Sequence, residues 1–394
     1  MSERIALGFC NNVDYEIVWS RAVLEDLVIH YQIRPYELQT RRQIQSERDL
    51  LVSILGFMRR AEGGERFVLD SALIERFAAR FEKNITLGGT SVRAAIAMRK
   101  LGHRSALHLI TQNDHVRRLI PSDSPYVCSN ASDSVYPHLI VQFGAGDRIC
   151  AGEIDIRARR PNRLIFHCNA DRIAMRLAPD FADLIVDAEV LLISGFNAMQ
   201  DQRLLEKRLA TVSLMLAQLP GGAKVFLEDG GYFDPRFRQE LYRTLGRRVN
   251  VYSMNEDELQ EHLKRRIELS DAAQVRTALD ELHRIIPAAA IVLHTEHWAL
   301  AHGAGASEFA GALKAGVTMA TTRFRYGDGF TVANYREIEN RAPSSENAEF
   351  AMAINSMGGG DLYCVPVAEV EQAKATTIGL GDAFVGGFLP ALLS

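Results

Sequence analysis

The sequence predicts an α/β protein: a parallel sheet covered by helices on both faces, with a smaller α/β unit assembled from two insertions. Three observations predict it. Short apolar runs recur along the chain, and most are followed by a helical pattern. Two regions break that alternation, one helix-rich and charged, the other alternating apolar and polar positions. A glycine-punctuated loop near the C-terminus opens an apolar helix, the arrangement of a ligand-binding crevice.

The apolar runs are residues 5–9, 106–110, 190–194, 224–227, 249–252 and 290–293. Strands buried on both faces read as near-continuous apolar stretches, and strand–helix alternation makes their sheet parallel. Helical patterns follow at 92–101 and 201–219, and residues 229–245 read as a turn and helix. Residues 15–81 carry helical, charged patterns with no clear strand. Residues 131–168 alternate at period two around the bend Gly144-Ala145-Gly146-Asp147, which reads as antiparallel β-structure. The expected division is a larger unit of 1–14, 82–130 and 169–394, with a small lid of 15–81 and 131–168.

At 394 residues the chain is long enough for one core and a smaller second unit. Lysine plus arginine number 45 against 49 acidic residues, a formal charge of −4. That mild acidity gives no reason to expect a nucleic-acid partner, yet a local arginine cluster still suits an anionic substrate. The opening MSERIALGFC lacks the apolar stretch of a signal peptide, and no window approaches the ~18 apolar residues of a membrane span. Five scattered cysteines without a C-x-x-C pair argue against a zinc site or a disulfide framework. The expectation is a cytoplasmic protein with no membrane partner; the sequence leaves its oligomeric state open.

Four motifs carry chemistry. The first is the stretch 376–388, with Gly379, Leu380, Gly381 and Asp382 at its centre. A glycine loop entering a helix presents unpaired N–H groups and a partial positive charge, which suits a phosphoryl group. Asp382 at that helix start is placed to accept a hydroxyl proton while the amides stabilise the transferring phosphate. The plainer alternative is a helix-capping aspartate. The second is Asn11-Asn12-Val13-Asp14 after the first strand, where open α/β sheets bind ligands; Asp14 suits recognition of vicinal hydroxyls, and a simple Asn/Asp turn is the alternative. The third, Gly88-Gly89-Thr90-Ser91, lets backbone approach a ligand closely. The fourth joins Glu228 to Asn255-Glu256-Asp257-Glu258. Asn255 and Glu258 share a helix face and, with Glu228, suit the waters of a magnesium ion; a capping box is the alternative.

In order and spacing these motifs resemble the ribokinase-like superfamily, and in detail its ADP-dependent sugar kinase branch, the ADP-dependent glucokinases and phosphofructokinases. The resemblance spans nearly the whole chain: G-x-G-D at 379–382, N-x-x-E at 255–258, N-x-D at 12–14, Ile193-Ser194-Gly195 before Phe196, and His294-Thr295. It implies a ribokinase-like, Rossmann-type larger domain with a small lid. It implies magnesium-dependent phosphoryl transfer from ADP to a hydroxyl of a sugar-like acceptor, with Asp382 as base. Asn12, Asp14, Gly88, Gly89, Thr90 and Arg163 would hold the acceptor. His294, Thr295, Val365, Pro366, Gly379 and Gly381 would hold the nucleotide, and Glu228, Asn255 and Glu258 the metal. ATP as donor, or a sugar- or nucleotide-binding regulator without turnover, are the rival readings. The chain departs from the branch twice. Phe226-Leu227-Glu228 stands where the branch has H-x-E, and Thr90 stands where an amide side chain follows Gly-Gly. The spacing of His294, His297 and His302 also admits a metal site, and the arginines 157, 159, 160 and 163 either face solvent or reach across a cleft to a phosphate.

Overall fold

The computed structural model of the chain describes residues 3–41, 43–371 and 378–393. Among them a nine-stranded sheet runs in the order Leu362–Pro366, Trp298–Gly303, Ala290–His294, Val251–Asn255, Lys224–Glu228, Val190–Ile193, Ile5–Leu7, Ala106–Leu109, Tyr126–Cys128. Neighbours are parallel, except that Trp298–Gly303 is antiparallel to both of its own. The predicted α/β class holds, and the apolar runs of the sequence are six adjacent strands at the centre of this sheet.

Alternate residues of those strands feed two cores, which is why the runs read as continuously apolar. Leu7, Leu192, Phe226, Val251 and Val292 face one side, packed with Val92, Phe384 and Phe388. Ala6, Leu191, Leu227, Tyr252 and Ile291 face the other, against Leu205, Leu241 and Leu279. Full burial of each such aliphatic side chain is worth about 1.5–3 kcal/mol. No helix among the described residues is long and apolar enough to cross a membrane.

A five-stranded sheet runs Gly64–Phe67, Asn162–His167, His138–Phe143, Asn12–Ile17, Lys83–Gly88. Here the sequence expectation needs correction, because residues 15–81 do contain strand: Gly64–Phe67 and half of Asn12–Ile17. Both are short and carry polar side chains, alternating in Asn12–Ile17 and adjacent in Gly64–Phe67, which hides them beside the helices Arg21–His30, Glu47–Arg60 and Ser71–Ala78. The strand Lys83–Gly88 pairs antiparallel with Asn12–Ile17, so it too sits in the smaller sheet. The alternation in 131–168 is borne out by His138–Phe143 pairing antiparallel with Asn162–His167, with the hairpin Arg148–Ala151 and Ile154–Arg157 between them.

The smaller sheet is two-faced by the period of its strands. Ile17, Leu139, Val141, Leu164 and Phe166 point into an apolar cluster with Leu50, Ile54 and Phe77 of the helices. The alternate residues Asp14, Glu16, His138, His167 and Glu65 lie on the opposite face. That polar face meets the carboxyl ends of the larger sheet.

Candidate active site

The carboxyl ends of the parallel strands place Glu228, Asn255 and His294 along one edge of the larger sheet. Near them the helix Leu380–Phe388 begins, with Gly379 as its cap at φ 63°, a left-handed backbone that disfavours a side chain. Helical geometry leaves the first N–H groups, those of Leu380, Gly381 and Asp382, without an intrahelical acceptor. Asp382 is in the first turn of that helix. Ile378 is held from behind, its carbonyl accepting a 3.0 Å bond from Arg323 Nε. Thr376 and Thr377 lie outside the described residues.

The polar face of the smaller sheet supplies the opposite wall. Asn12 Nδ2 donates to Asp14 Oδ1 at 2.5 Å. Gly88 is opposite Asn12 in register, and a Cβ there would collide with Asn12 Nδ2 and with both Asp14 oxygens. The chain continues through Gly89, the cap of the helix Thr90–Lys100, which Thr90 opens. Beside Asp14 stands His138, its Nδ1 4.0 Å from Oδ1, stacked at 4.8 Å on His167. His167 Nε2 in turn lies 2.9 Å from Glu65 Oε1, without the alignment of a full hydrogen bond. Burial, aided by the charges of His167, Arg172 and Arg93, holds the His138 ring well below the usual histidine range and so neutral. Burial pushes Glu65 up, but His167, Arg172 and Arg163 outweigh it and bring the carboxyl down to about 2. Arg163, on the same strand face as His167, thus contributes to this row by its charge. Arg157 and Arg160 instead bond to the carbonyls of Gly146 and Ala61.

One residue absent from the sequence reading joins the two walls. Arg93, 6% exposed, donates from Nη2 to Asp14 Oδ2 at 2.7 Å and approaches Glu16 Oε1 at 3.3 Å, while its Nε lies 3.8 Å from Asp382 Oδ2. Burial works against its charge, and Asp14, Asp382 and Glu16 outweigh that burial. The available signal was a lone arginine inside an otherwise apolar helical stretch, Val92, Ala94, Ala95, Ile96, Ala97 and Met98. A charge at a buried helix position needs partners.

Around the candidate metal residues, the capping alternative is realised. Asn255 Oδ1 accepts from the amides of Asp257 and Glu258 at 2.9 and 3.0 Å, and Asn255 N donates to Glu258 Oε2 at 2.9 Å. Glu258 is nonetheless buried with Asp229 and Glu228, and these causes push its carboxyl well up. Glu228 Oε2 is buried without a hydrogen-bond partner. A cation would relieve both, and magnesium, which keeps much of its water, fits such a sparse carboxylate set. Among the described residues no three His, Cys, Asp or Glu side chains converge as a metal cluster.

The histidine missing from the Phe226-Leu227-Glu228 segment has a spatial counterpart. Phe226 is buried against Phe388 at 5.3 Å, whereas His294, two strands away, brings Nε2 to 3.2 Å from Glu228 Oε1. His294 also packs on Phe384 of the Leu380–Phe388 helix, ring centroids 4.7 Å apart. His297 is exposed, and His302 bonds Asp280 at 3.0 Å and His283 at 2.9 Å, so the three histidines do not converge. Thr295 Oγ1 is spent on its own turn, donating to the carbonyl of Trp298 at 2.9 Å. Val365 and Pro366 line a separate cavity of about 520 Å³ with Lys314, Met352 and Asn355, and neither His294 nor Thr295 lines it.

The sequence profile of the ADP-specific phosphofructokinase/glucokinase conserved region matches residues 3–389. The fold is similar to the crystal structure of a phosphofructokinase from Pyrococcus horikoshii OT3 with AMP, at 16% identity and TM-score 0.76, covering 98% of this chain and 97% of that one. It is similar to an ADP-dependent kinase in complex with fructose-6-phosphate and ADPβS, at 12% identity and TM-score 0.75, covering 98% and 93%. A more distant likeness is adenosine kinase from Sinorhizobium meliloti, at 12% identity and TM-score 0.54, covering 98% and 86%. No curated protein sequence matches this chain.

Proposed function

The chain belongs to the ADP-specific phosphofructokinase/glucokinase family, ADP-dependent sugar kinases, and from that premise we propose that it carries out magnesium-dependent transfer of the terminal phosphoryl group of ADP to a sugar hydroxyl. The observation that carries this reading is the meeting of Asp14, from the smaller sheet, and Asp382, from the larger unit, at the guanidinium of Arg93. One carboxylate would hold an acceptor and the other take its proton.

Asp14 and Asn12 accept and donate hydrogen bonds to the acceptor's hydroxyls, with Gly88, Gly89 and Thr90 forming the floor beneath it. Arg163 and the row His138, His167 and Glu65 border the far side. Asp382 accepts the proton of the attacking hydroxyl as its oxygen bonds to phosphorus and AMP departs. The amides of Gly379, Leu380, Gly381 and Asp382 stabilise charge on the transferring group at the positive end of their helix. Glu228, Asn255 and Glu258 would hold magnesium through water, with His294 orienting Glu228. Magnesium, when bound, supplies positive charge to the phosphate oxygens. Val365 and Pro366 border the adenine, His294 and Thr295 the inner part of the nucleotide. The smaller sheet and its helices act as a lid that excludes water on closure.

The test is a screen of sugars and sugar phosphates with the magnesium complexes of ADP and ATP, following AMP and ADP release. AMP formed only in the presence of an acceptor is the expected result. Turnover from ATP alone would move the chain to the ATP-using side of the superfamily, and ligand binding without turnover would make it a regulator.

A further inference from the structure

Building on that function, we propose that Arg93 is a positioning residue for phosphoryl transfer: its guanidinium locks the Asp14 carboxylate in place for the acceptor and fixes the spacing from Asp14 to Asp382. The side chain is held along its Nε–Nη2 edge. Nη2 contacts Asp14 at 2.7 Å, Glu16 at 3.3 Å and Thr86 Oγ1 at 3.5 Å, and Nε faces Asp382 at 3.8 Å. Gly379 backs directly onto it, since a Cβ there would stand 2.8 Å from Nη1. A planar fork with fixed donor directions can bridge two carboxylates at a set distance; a lysine's point charge cannot.

The protonation of Asp14 depends on the same contact. Glu16 from its own strand and Asp382 from the Leu380–Phe388 helix face it with like charge. Thr86 comes from the Lys83–Gly88 strand, and His138, held neutral, from the His138–Phe143 strand. Arg323, from the helix Ala310–Tyr326, is engaged by Ile378 O and Asp328. Burial pushes Asp14 up and Arg93 pulls it down, leaving the carboxyl at about 6. Asp14 is therefore mostly ionised at neutral pH. An opposite charge at this range lowers a carboxyl by about 1–3 units, so loss of Arg93 raises Asp14 by that amount and protonates it at neutral pH.

The experiment compares the wild type with Arg93→Met and Arg93→Lys. Aspartate carboxyl carbons labelled with ¹³C are titrated by NMR, with Asp14→Asn identifying the Asp14 signal. Alongside, kcat and acceptor KM are measured against pH, and magnesium-ADP affinity by calorimetry. In Arg93→Met the Asp14 midpoint should rise by about 1–3 units, with acceptor KM up about tenfold at pH 7 and recovering as pH rises. In Arg93→Lys, which keeps the charge, KM should stay near wild type while kcat falls about 10²-fold because the spacing is lost. Magnesium-ADP affinity should stay unchanged in both, which reports an intact fold. An Asp14 signal that Arg93→Met leaves in place, or a pH-independent loss shared by both variants, would overturn the proposal with the function intact. A wild type that phosphorylates no sugar from ADP would instead overturn the function itself.

Discussion

Replacing Asp382 by asparagine removes a proton acceptor and almost nothing else. The side chain keeps its volume at a position in the first turn of the Leu380–Phe388 helix, 21% exposed and 3.8 Å from Arg93. A carboxylate in the first turn of a helix contributes about 0.3–1 kcal/mol through the helix dipole. The Arg93 contact is longer than a hydrogen bond, and Arg93 retains Asp14 at 2.7 Å. Stability should thus fall by roughly 1 kcal/mol at most, and magnesium-ADP binding should persist, because the loop amides are backbone groups. Turnover is different. General-base help is worth about 10²–10⁴-fold. At about 1.36 kcal/mol per factor of ten that is ~3–5 kcal/mol of barrier. The assay is AMP release at saturating magnesium-ADP and sugar, with a thermal melt on the same preparation. A variant that keeps more than about a tenth of the wild-type rate would refute Asp382 as the base, since the expected loss is at least ~100-fold.

Glu258→Gln should leave the melt unchanged, because glutamine serves a capping box as well as glutamate, and should raise the magnesium needed for half-maximal rate; an unmoved magnesium midpoint would leave Glu258 as a cap and nothing more. Calorimetry should show tighter binding of magnesium-ADP than magnesium-ATP, and the opposite order together with ATP-only turnover would reject ADP as donor. Glu65, brought down to about 2 from its ordinary 4.5, contributes stability fully present above its ordinary range and lost as pH falls toward 2. Glu65→Gln should therefore flatten the fall of Tm between those pH values, and an unchanged acid limb would show that its partners in the row do not hold it.

What was legible in the sequence follows from how each part is buried. The six central strands are covered on both faces, so most of their residues are apolar and the run announces itself. The strands Asn12–Ile17 and Gly64–Phe67 are covered on one face only. The first alternates, N-V-D-Y-E-I, and the second, G-E-R-F, is only four residues long; short polar segments of this kind beside charged helices resemble a helix edge. The glycines at 379 and 381 and the pair Gly88-Gly89 stood out because each precedes or opens a helical pattern, where backbone can approach a ligand closely. For Arg93 the lone charge in an apolar helix was legible but its partners were not, because Asp14 and Asp382 lie far away in sequence on other elements. His294 shows the same limit. The contact between Glu228 and a histidine exists, but the ring arrives from another strand, so a motif read along one strand records it as missing.

The two sheets contribute different chemistry because of what covers them. In the larger sheet both faces are core, so its strands are mostly apolar, and Glu228, Asn255 and His294 gather at their carboxyl ends. In the smaller sheet one face is uncovered by helices, so polar groups extend across its width, from Asp14 through His138 and His167 to Glu65. Phosphoryl transfer needs both sets together with water excluded. The connection between them is short and stiff: the strand Lys83–Gly88 of the smaller sheet runs straight through Gly89 into the helix Thr90–Lys100, which packs on the helix carrying Asp382. In the lid closure proposed above, Arg93 stays seated between Asp14 and Asp382, and the hinge would lie on the Asn12–Gly88 side. Travel then grows with distance across the sheet and is largest at Glu65 and at Phe67, whose ring meets Phe233 from beyond the strand Lys224–Glu228. The acceptor's reacting hydroxyl would sit at the near-stationary end of that motion. The far end, with Arg163, His167 and Glu65, would close over the rest of the molecule and test its shape.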